Sequence, residues 1–208
     1  MLYNKIEPQW TQRYRPQRLE DVVIPVAIKN RLIKLRDNNE SINLLLHGPY
    51  GTGKTTISLL INTESTLTIQ CGTEEGKKQI NDIVSICSSA TLYSESRVVV
   101  FDEAEYISKK GLAILRTGLE RLSKSNMFVF TTNNIDKIDP GIRSRLTEYD
   151  FGNFDGDIEL REQFVQRGIA IVENEGVSNY KIDTIRSIAK SSLPDARKFV
   201  SELQRNYG

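Results

Sequence analysis

The sequence predicts an α/β fold, a five-stranded parallel sheet with crossover helices, followed by a small all-helical unit. Three observations carry that reading. Short apolar runs rich in β-branched residues alternate with longer segments of helical period. Two of the runs, RVVVFD and MFVFTT, are almost uninterrupted, as strands covered on both faces are. Beyond Phe151 the strand signal stops and only helical patterns remain.

In chain order, strands are expected at 42–47, 67–71, 97–102 and 127–132, with a more polar one at 148–151. Helical spacing marks 27–37, 54–62, 77–88, 109–122 and a short turn at 141–144. The tail reads as helices at 156–174, 181–191 and 195–204, separated by the breaks VENEGVSN and SSLP. A boundary is expected at 152–156. It gives an α/β domain over 1–152, whose first 25 residues form a separate leading segment, and a helical domain over 153–208. A chain of 208 residues has room for both.

Charge gives no global direction. Lys and Arg total 28 against 27 Asp and Glu, so any contact with nucleic acid must come from a local face. Cys71 and Cys87 are the only cysteines, too few for a Cys-rich zinc module or a disulfide scaffold, and are expected as buried thiols. The leading MLYNKIEPQW has no apolar core of a signal peptide, and no stretch approaches the ~18 apolar residues of a membrane span. A cytoplasmic protein is expected.

The sharpest motif is GPYGTGKT, Gly48 to Thr55, directly after the apolar run INLLLH and directly before a helical segment. That context makes it a P-loop. Backbone N–H groups from Gly51, Thr52, Gly53, Lys54, Thr55 and Thr56 turn toward the phosphates of a nucleotide, and the following helix offers its positive end. Lys54 reaches the β- and γ-phosphates, and Thr55 offers a hydroxyl to Mg²⁺. Such a site needs an acidic partner on a neighbouring strand. RVVVFDEAE supplies one, with Asp102 to support the metal and Glu103 to polarise the attacking water. The pair points to hydrolysis of ATP rather than binding alone.

Two further features have more than one use. Asn133 in TTNN can orient the same water from the adjacent strand, or can simply form a turn. Arg143 and Arg145 in PGIRSRL can be solvated, or one can serve as a finger on the γ-phosphate of a neighbouring subunit.

Together these motifs resemble the AAA+ superfamily, and within it the clamp-loader ATPases of the replication factor C small-subunit and phage type. The segment WTQRYRPQRLEDVV, from Trp10, is similar to the family's Tyr-Arg-Pro region, which wraps the adenine. The resemblance implies that Thr11, Gln12, Arg13, Tyr14 and Val23 line the base. It implies that DEAE is the Walker B box, Asn133 the sensor 1, Arg145 the trans-acting finger and Arg197 of PDARKFVSELQ the sensor 2 that touches the γ-phosphate. An AAA+ P-loop fold with a helical lid follows, as do ATP and Mg²⁺ as cofactors. The implied partners are other clamp-loader subunits, a sliding clamp and primer-template DNA, in host cytoplasm for a phage-encoded chain. The sequence departs from the family at Leu146, where the Ser-Arg-Cys box has Cys, and at Asn81, where a DNA-tracking arginine is usual. Ending at Gly208, it is expected to lack the family's helical collar.

Three functional classes fit these residues: a clamp-loader switch, another AAA+ ATPase of DNA metabolism such as a helicase loader, and a nucleotide-binding paralogue without turnover. The Tyr-Arg-Pro segment favours the first over the second, and intact Lys54, Thr55, Asp102 and Glu103 argue against the third. DNA contact is expected at two helix starts, through Lys77 and Lys78 and through Ser108, Lys109 and Lys110. Solvated lysine clusters are the alternative there.

Overall fold

Alternation along the strands decides how the sheet is covered. In the computed structural model, which describes residues 9–61, 66–90, 97–123, 126–152, 154 and 157–208, the strands are β1 (Leu44–His47), β2 (Thr66–Gln70), β3 (Arg97–Asp102), β4 (Asn126–Thr132) and β5 (Thr147–Asp150). All pairings are parallel, in the order β2-β3-β4-β1-β5. Leu45, Val99, Phe101, Phe128 and Phe130 face one side. Leu44, Leu46, Val98, Val100, Met127 and Val129 face the other. Both faces are buried, which is why these runs carry no polar alternation.

Helices α4 (Glu74–Ala90) and α5 (Lys109–Leu122) cover the first face through Ile80, Ile83, Leu115, Leu119 and Leu122. Phe101 stacks on Phe130 there, with ring centroids 4.6 Å apart. Helices α2 (Val26–Asp37) and α3 (Lys54–Leu60) cover the second through Leu32, Leu35 and Ile57. Each large apolar side chain buried this way contributes roughly 1.5–3 kcal/mol. Strand β5 lies at the edge and is polar and mostly exposed, a composition that discourages edge-to-edge pairing. Phe151, just past it, is fully buried in the second core, and its N–H still bonds to His47 O at 2.7 Å.

The tail forms α7 (Ile158–Asn174), α8 (Ile182–Ser192) and α9 (Ala196–Tyr207) around a third core that includes Leu160, Phe164, Ile185, Phe199 and Leu203. The expected boundary at 152–156 falls partly on 153, 155 and 156, which lie outside the described residues, as does 62 at the expected end of the P-loop helix. The leading segment does not belong to the sheet alone. Its short helix α1 (Trp10–Arg13) packs on α9, Trp10 is buried in the third core, and Trp10 N donates to Gln204 Oε1 at 3.1 Å. At Val22, Val23 and Ile24 the chain runs between two cores. Val22 and Ile24 enter the core under the sheet, and Val23 packs against the helical one.

Some boundaries move. Helix α4 begins at Glu74, ahead of the expected 77, because Thr73 Oγ1 accepts from Gly76 N at 3.0 Å and Glu74 and Glu75 favour the first turn. Helix α6 (Pro140–Arg143) ends before Arg145, which therefore lies past the helix rather than on it. Among the described residues no helix is long and apolar enough to cross a membrane. Both cysteines are buried, and burial pushes the Cys71 thiol up to about 12.

Candidate functional site

Parallel strands bring β1, β3 and β4 to one carboxyl edge, and the residues just past their ends converge there. The loop between β1 and α3 is left-handed at Gly51 (φ +77°) and Gly53 (φ +88°), a conformation that glycine adopts without strain. Lys54 opens α3 and folds back into the loop. Its Nζ donates to Gly48 O at 2.9 Å and Pro49 O at 2.6 Å. Burial lowers the Lys54 ammonium to about 8, against the opposing pull of the Glu105 and Asp102 carboxylates.

Asp102 ends β3 and is buried. Its Oδ1 accepts from Thr55 Oγ1 at 2.8 Å and from Thr131 Oγ1, and its Oδ2 from Gln70 Nε2 at 3.3 Å. Three strand ends and the start of α3 therefore meet on one carboxylate. Thr131 and Gln70 were not anticipated; a hydroxyl or amide at a strand end has no motif that announces it. Glu103 follows in a left-handed conformation (φ +55°), with its N–H donated to Thr131 Oγ1 at 3.2 Å.

A cleft of about 750 Å³ runs from this edge to the helical tail. Of the anticipated residues, Thr11, Gln12, Tyr14, Val23, Gly51, Thr52, Gly53, Lys54, Thr55, Thr56, Asp102, Glu103 and Arg197 line it. Arg197 arrives through the start of α9, which docks on the P-loop: Ala196 N donates to Gly51 O at 3.0 Å. Two further arginines line the cleft, Arg15 of the Tyr-Arg-Pro segment and Arg167, which no motif points to. Arg15 Nε donates to Thr56 Oγ1 at 3.2 Å, and Arg167 Nη2 to Tyr14 O at 3.0 Å.

Three anticipated residues stand apart from the cleft lining. Arg13 is turned to the end of α7, where Glu175 accepts from its Nη1 at 2.7 Å and from Tyr14 Oη at 2.6 Å; those hydrogen bonds hold the Glu175 carboxyl below its usual range. The Arg13 side chain thus braces the leading segment against the tail. Asn133 is bound by Glu105. Arg145 is held on the outer side, with Nη2 2.7 Å from Glu120 Oε1 on α5 and Nη1 donating to Gly141 O.

The lysine clusters differ. Lys77 pairs with Glu74 in its own helix, and Asn81 Nδ2 bonds back to Lys77 O. Ser108 Oγ caps α5, accepting from Gly111 N at 3.1 Å, while Lys109 and Lys110 are exposed.

The profile of the "ATPase family associated with various cellular activities (AAA)" matches residues 44–151, the whole sheet from β1 to just past β5. The chain belongs to the AAA family of ATPases. For this AAA chain, Replication factor C subunit 3 of Oryza sativa subsp. japonica is 30% identical over 95% of the chain and 57% of that protein. The Replication factor C small subunit of Halobacterium salinarum is 30% identical over 94% and 62%. The Sliding-clamp-loader large subunit of Enterobacteria phage T4 is 28% identical over 96% and 65%. The AAA chain thus spans less than two thirds of the length of these relatives. A solved Thermotoga maritima RuvB structure superposes with a TM-score of 0.67 at 21% identity, covering 95% of this chain and 65% of that one, which shows the shared AAA fold.

Proposed function

We propose that the chain is an ATP-driven subunit of a DNA sliding-clamp loader. The observation that carries this reading is the extent of the likeness: similarity to replication factor C subunits and the phage T4 subunit runs through the leading segment and the tail as well as the AAA sheet. On this reading residues 1–152 bind nucleotide and 153–208 form a lid.

Within the cleft, Thr11, Gln12, Tyr14 and Val23 border the adenine, and the loop from Gly51 to Thr56 holds the phosphates. Lys54 leaves the Gly48 and Pro49 carbonyls for the β- and γ-phosphates, and Arg197 reaches the γ-phosphate from the lid. The donors present fit Mg²⁺: Thr55 Oγ1 and Asp102 Oδ1, 2.8 Å apart, are hard oxygen ligands of the number this ion takes from protein beside phosphates. The ion would neutralise charge developing on the phosphate oxygens. Glu103 accepts a proton from the attacking water, and Asn133 orients that water. Arg145, outside its own chain's cleft, completes the site of the neighbouring subunit.

The assembly takes other loader subunits, a sliding clamp and primer-template DNA as partners. Lys109 and Lys110, with Lys77 and Lys78, meet the DNA backbone near the starts of α5 and α4, where helix N-termini favour phosphate. Mixing two variants tests the shared site. Arg145→Ala and Glu103→Gln chains, each inactive alone, are expected to regain ATP turnover when combined, stimulated by primed DNA and clamp. Mixed assemblies that form and stay inactive would show that Arg145 does not act in trans.

A further inference from the structure

Glu105 lies two residues past Glu103, in the turn after β3. Its Oε1 accepts from the backbone N–H of Asn133 at 3.3 Å and from Asn133 Nδ2 at 3.1 Å. Its Oε2 is buried and has no hydrogen-bond partner among the described residues. A carboxylate oxygen only accepts, so the amide group of Asn133 must turn its NH₂ end to Glu105. The planar amide then directs its carbonyl Oδ1 away from that carboxylate. Both contacts join the turn after β3 to the end of β4, the two elements that carry Glu103 and Asn133.

We propose that Glu105 is a positioning residue that fixes the rotamer and amide orientation of Asn133, so that Asn133 presents Oδ1 as an acceptor to the water attacking the nucleotide. This rests on the ATPase reading of the cleft. Orientation matters chemically. A water that donates one hydrogen to Asn133 Oδ1 and the other to Glu103 keeps a lone pair directed at phosphorus, whereas an NH₂ turned to that water would compete for the lone pair. Charge-assisted hydrogen bonds donated to a carboxylate are strong enough to hold such a side chain in one rotamer.

The full chain, labelled with ¹⁵N-asparagine, tests the contact without turnover. The Asn133 Nδ2 resonances, identified by their loss in Asn133→Ala, are expected to exchange with solvent about tenfold faster or more in Glu105→Ala, the factor implied by losing a hydrogen bond to a charged group. Glu105→Gln keeps an accepting Oε1 and should restore most of the protection. In the assembly that turns over ATP, Glu105→Ala should lower kcat at least about tenfold with KM within about twofold, and Glu105→Gln should recover much of kcat. Unchanged exchange of the Asn133 amide in Glu105→Ala would overturn the proposal, as would a parental kcat in that variant. A parent chain that neither binds nor hydrolyses ATP would instead sink the ATPase reading and leave amide exchange to decide the contact.

Discussion

Replacing Gly51 by alanine should strike two elements at once, and the structure gives the size of each cost. Gly51 is left-handed at φ +77°, and a Cβ there would stand 1.7 Å from Asp195 Oδ1. The conformation alone costs an L-residue about 1–2 kcal/mol. The collision also drives Asp195 off the start of α9, where its Oδ1 accepts from Lys198 N at 2.9 Å. Losing such a cap costs ~0.5–2 kcal/mol. Displacing α9 breaks the bond from Ala196 N to Gly51 O, worth ~0.5–1.5 kcal/mol. The whole change is roughly 2–5 kcal/mol. Asp195→Ala alone loses only the cap, about 1 kcal/mol, and removes the obstacle. In the double variant the cap is lost once rather than twice, so its destabilisation should fall short of the sum of the singles by ~1–2 kcal/mol. Urea titration of the parent, both single variants and the double measures this. Additivity within ~0.5 kcal/mol would refute the claim that the P-loop and α9 meet at these two groups.

Nucleotide affinity should fall as pH rises above about 8, because the Lys54 ammonium is lowered to about 8 and its charged form is the one that holds phosphate. The slope approaches tenfold per pH unit until the bound-state value is reached. In the ligand-free chain the sign reverses: between about 8 and 10.5 the unfolded chain holds a proton that the folded one has released, so this group adds stability as pH increases. Fluorescent-nucleotide titrations from pH 7 to 9.5 should show the fall in affinity for the parent and a flat, weak profile for Lys54→Met. Reversing charge at Lys77, Lys78, Lys109 and Lys110 together should flatten the salt dependence of DNA binding, with each lost phosphate contact removing about 0.7–0.9 from the log–log slope; an unaltered slope dismisses this face. Glu120→Ala frees the Arg145 guanidinium of an exposed partner worth no more than ~1 kcal/mol, so thermal stability should barely move while assembly-dependent turnover stays at or above the parental level. A tenfold fall in turnover would instead mean that Glu120 aims the finger.

What the sequence made legible was local. Val98 to Phe101 and Met127 to Phe130 read as central strands because both of their faces are buried, and GPYGTGKT with Asp102 is legible as a motif from spacing alone. Thr55 and Asp102, 47 positions apart, do meet, as the motif requires. Contacts across the fold were not legible. Arg13 turns to Glu175, 162 positions away, and nothing near either residue foretells it. Thr131 stands in TTNN and Glu105 in DEAE, but what each touches emerges only when the end of β4 is laid beside the turn after β3. Thr73 followed by two glutamates is a helix-start signature for α4, whose apolar period sets in only later.

The double membership of the leading segment has a mechanical consequence. The chain passes between the sheet cores and the helical core twice, once around Val22 to Ile24 and again between Phe151 and Ile158. These two crossings and the bond from Ala196 N to Gly51 O together fix the tail to the sheet at separate places. Helix α9 has 12 residues and is therefore about 18 Å long, with Gly51 at one end and the contact to Trp10 near the other. One rod therefore sets the spacing between the P-loop and the leading segment, so neither can be repositioned without the other.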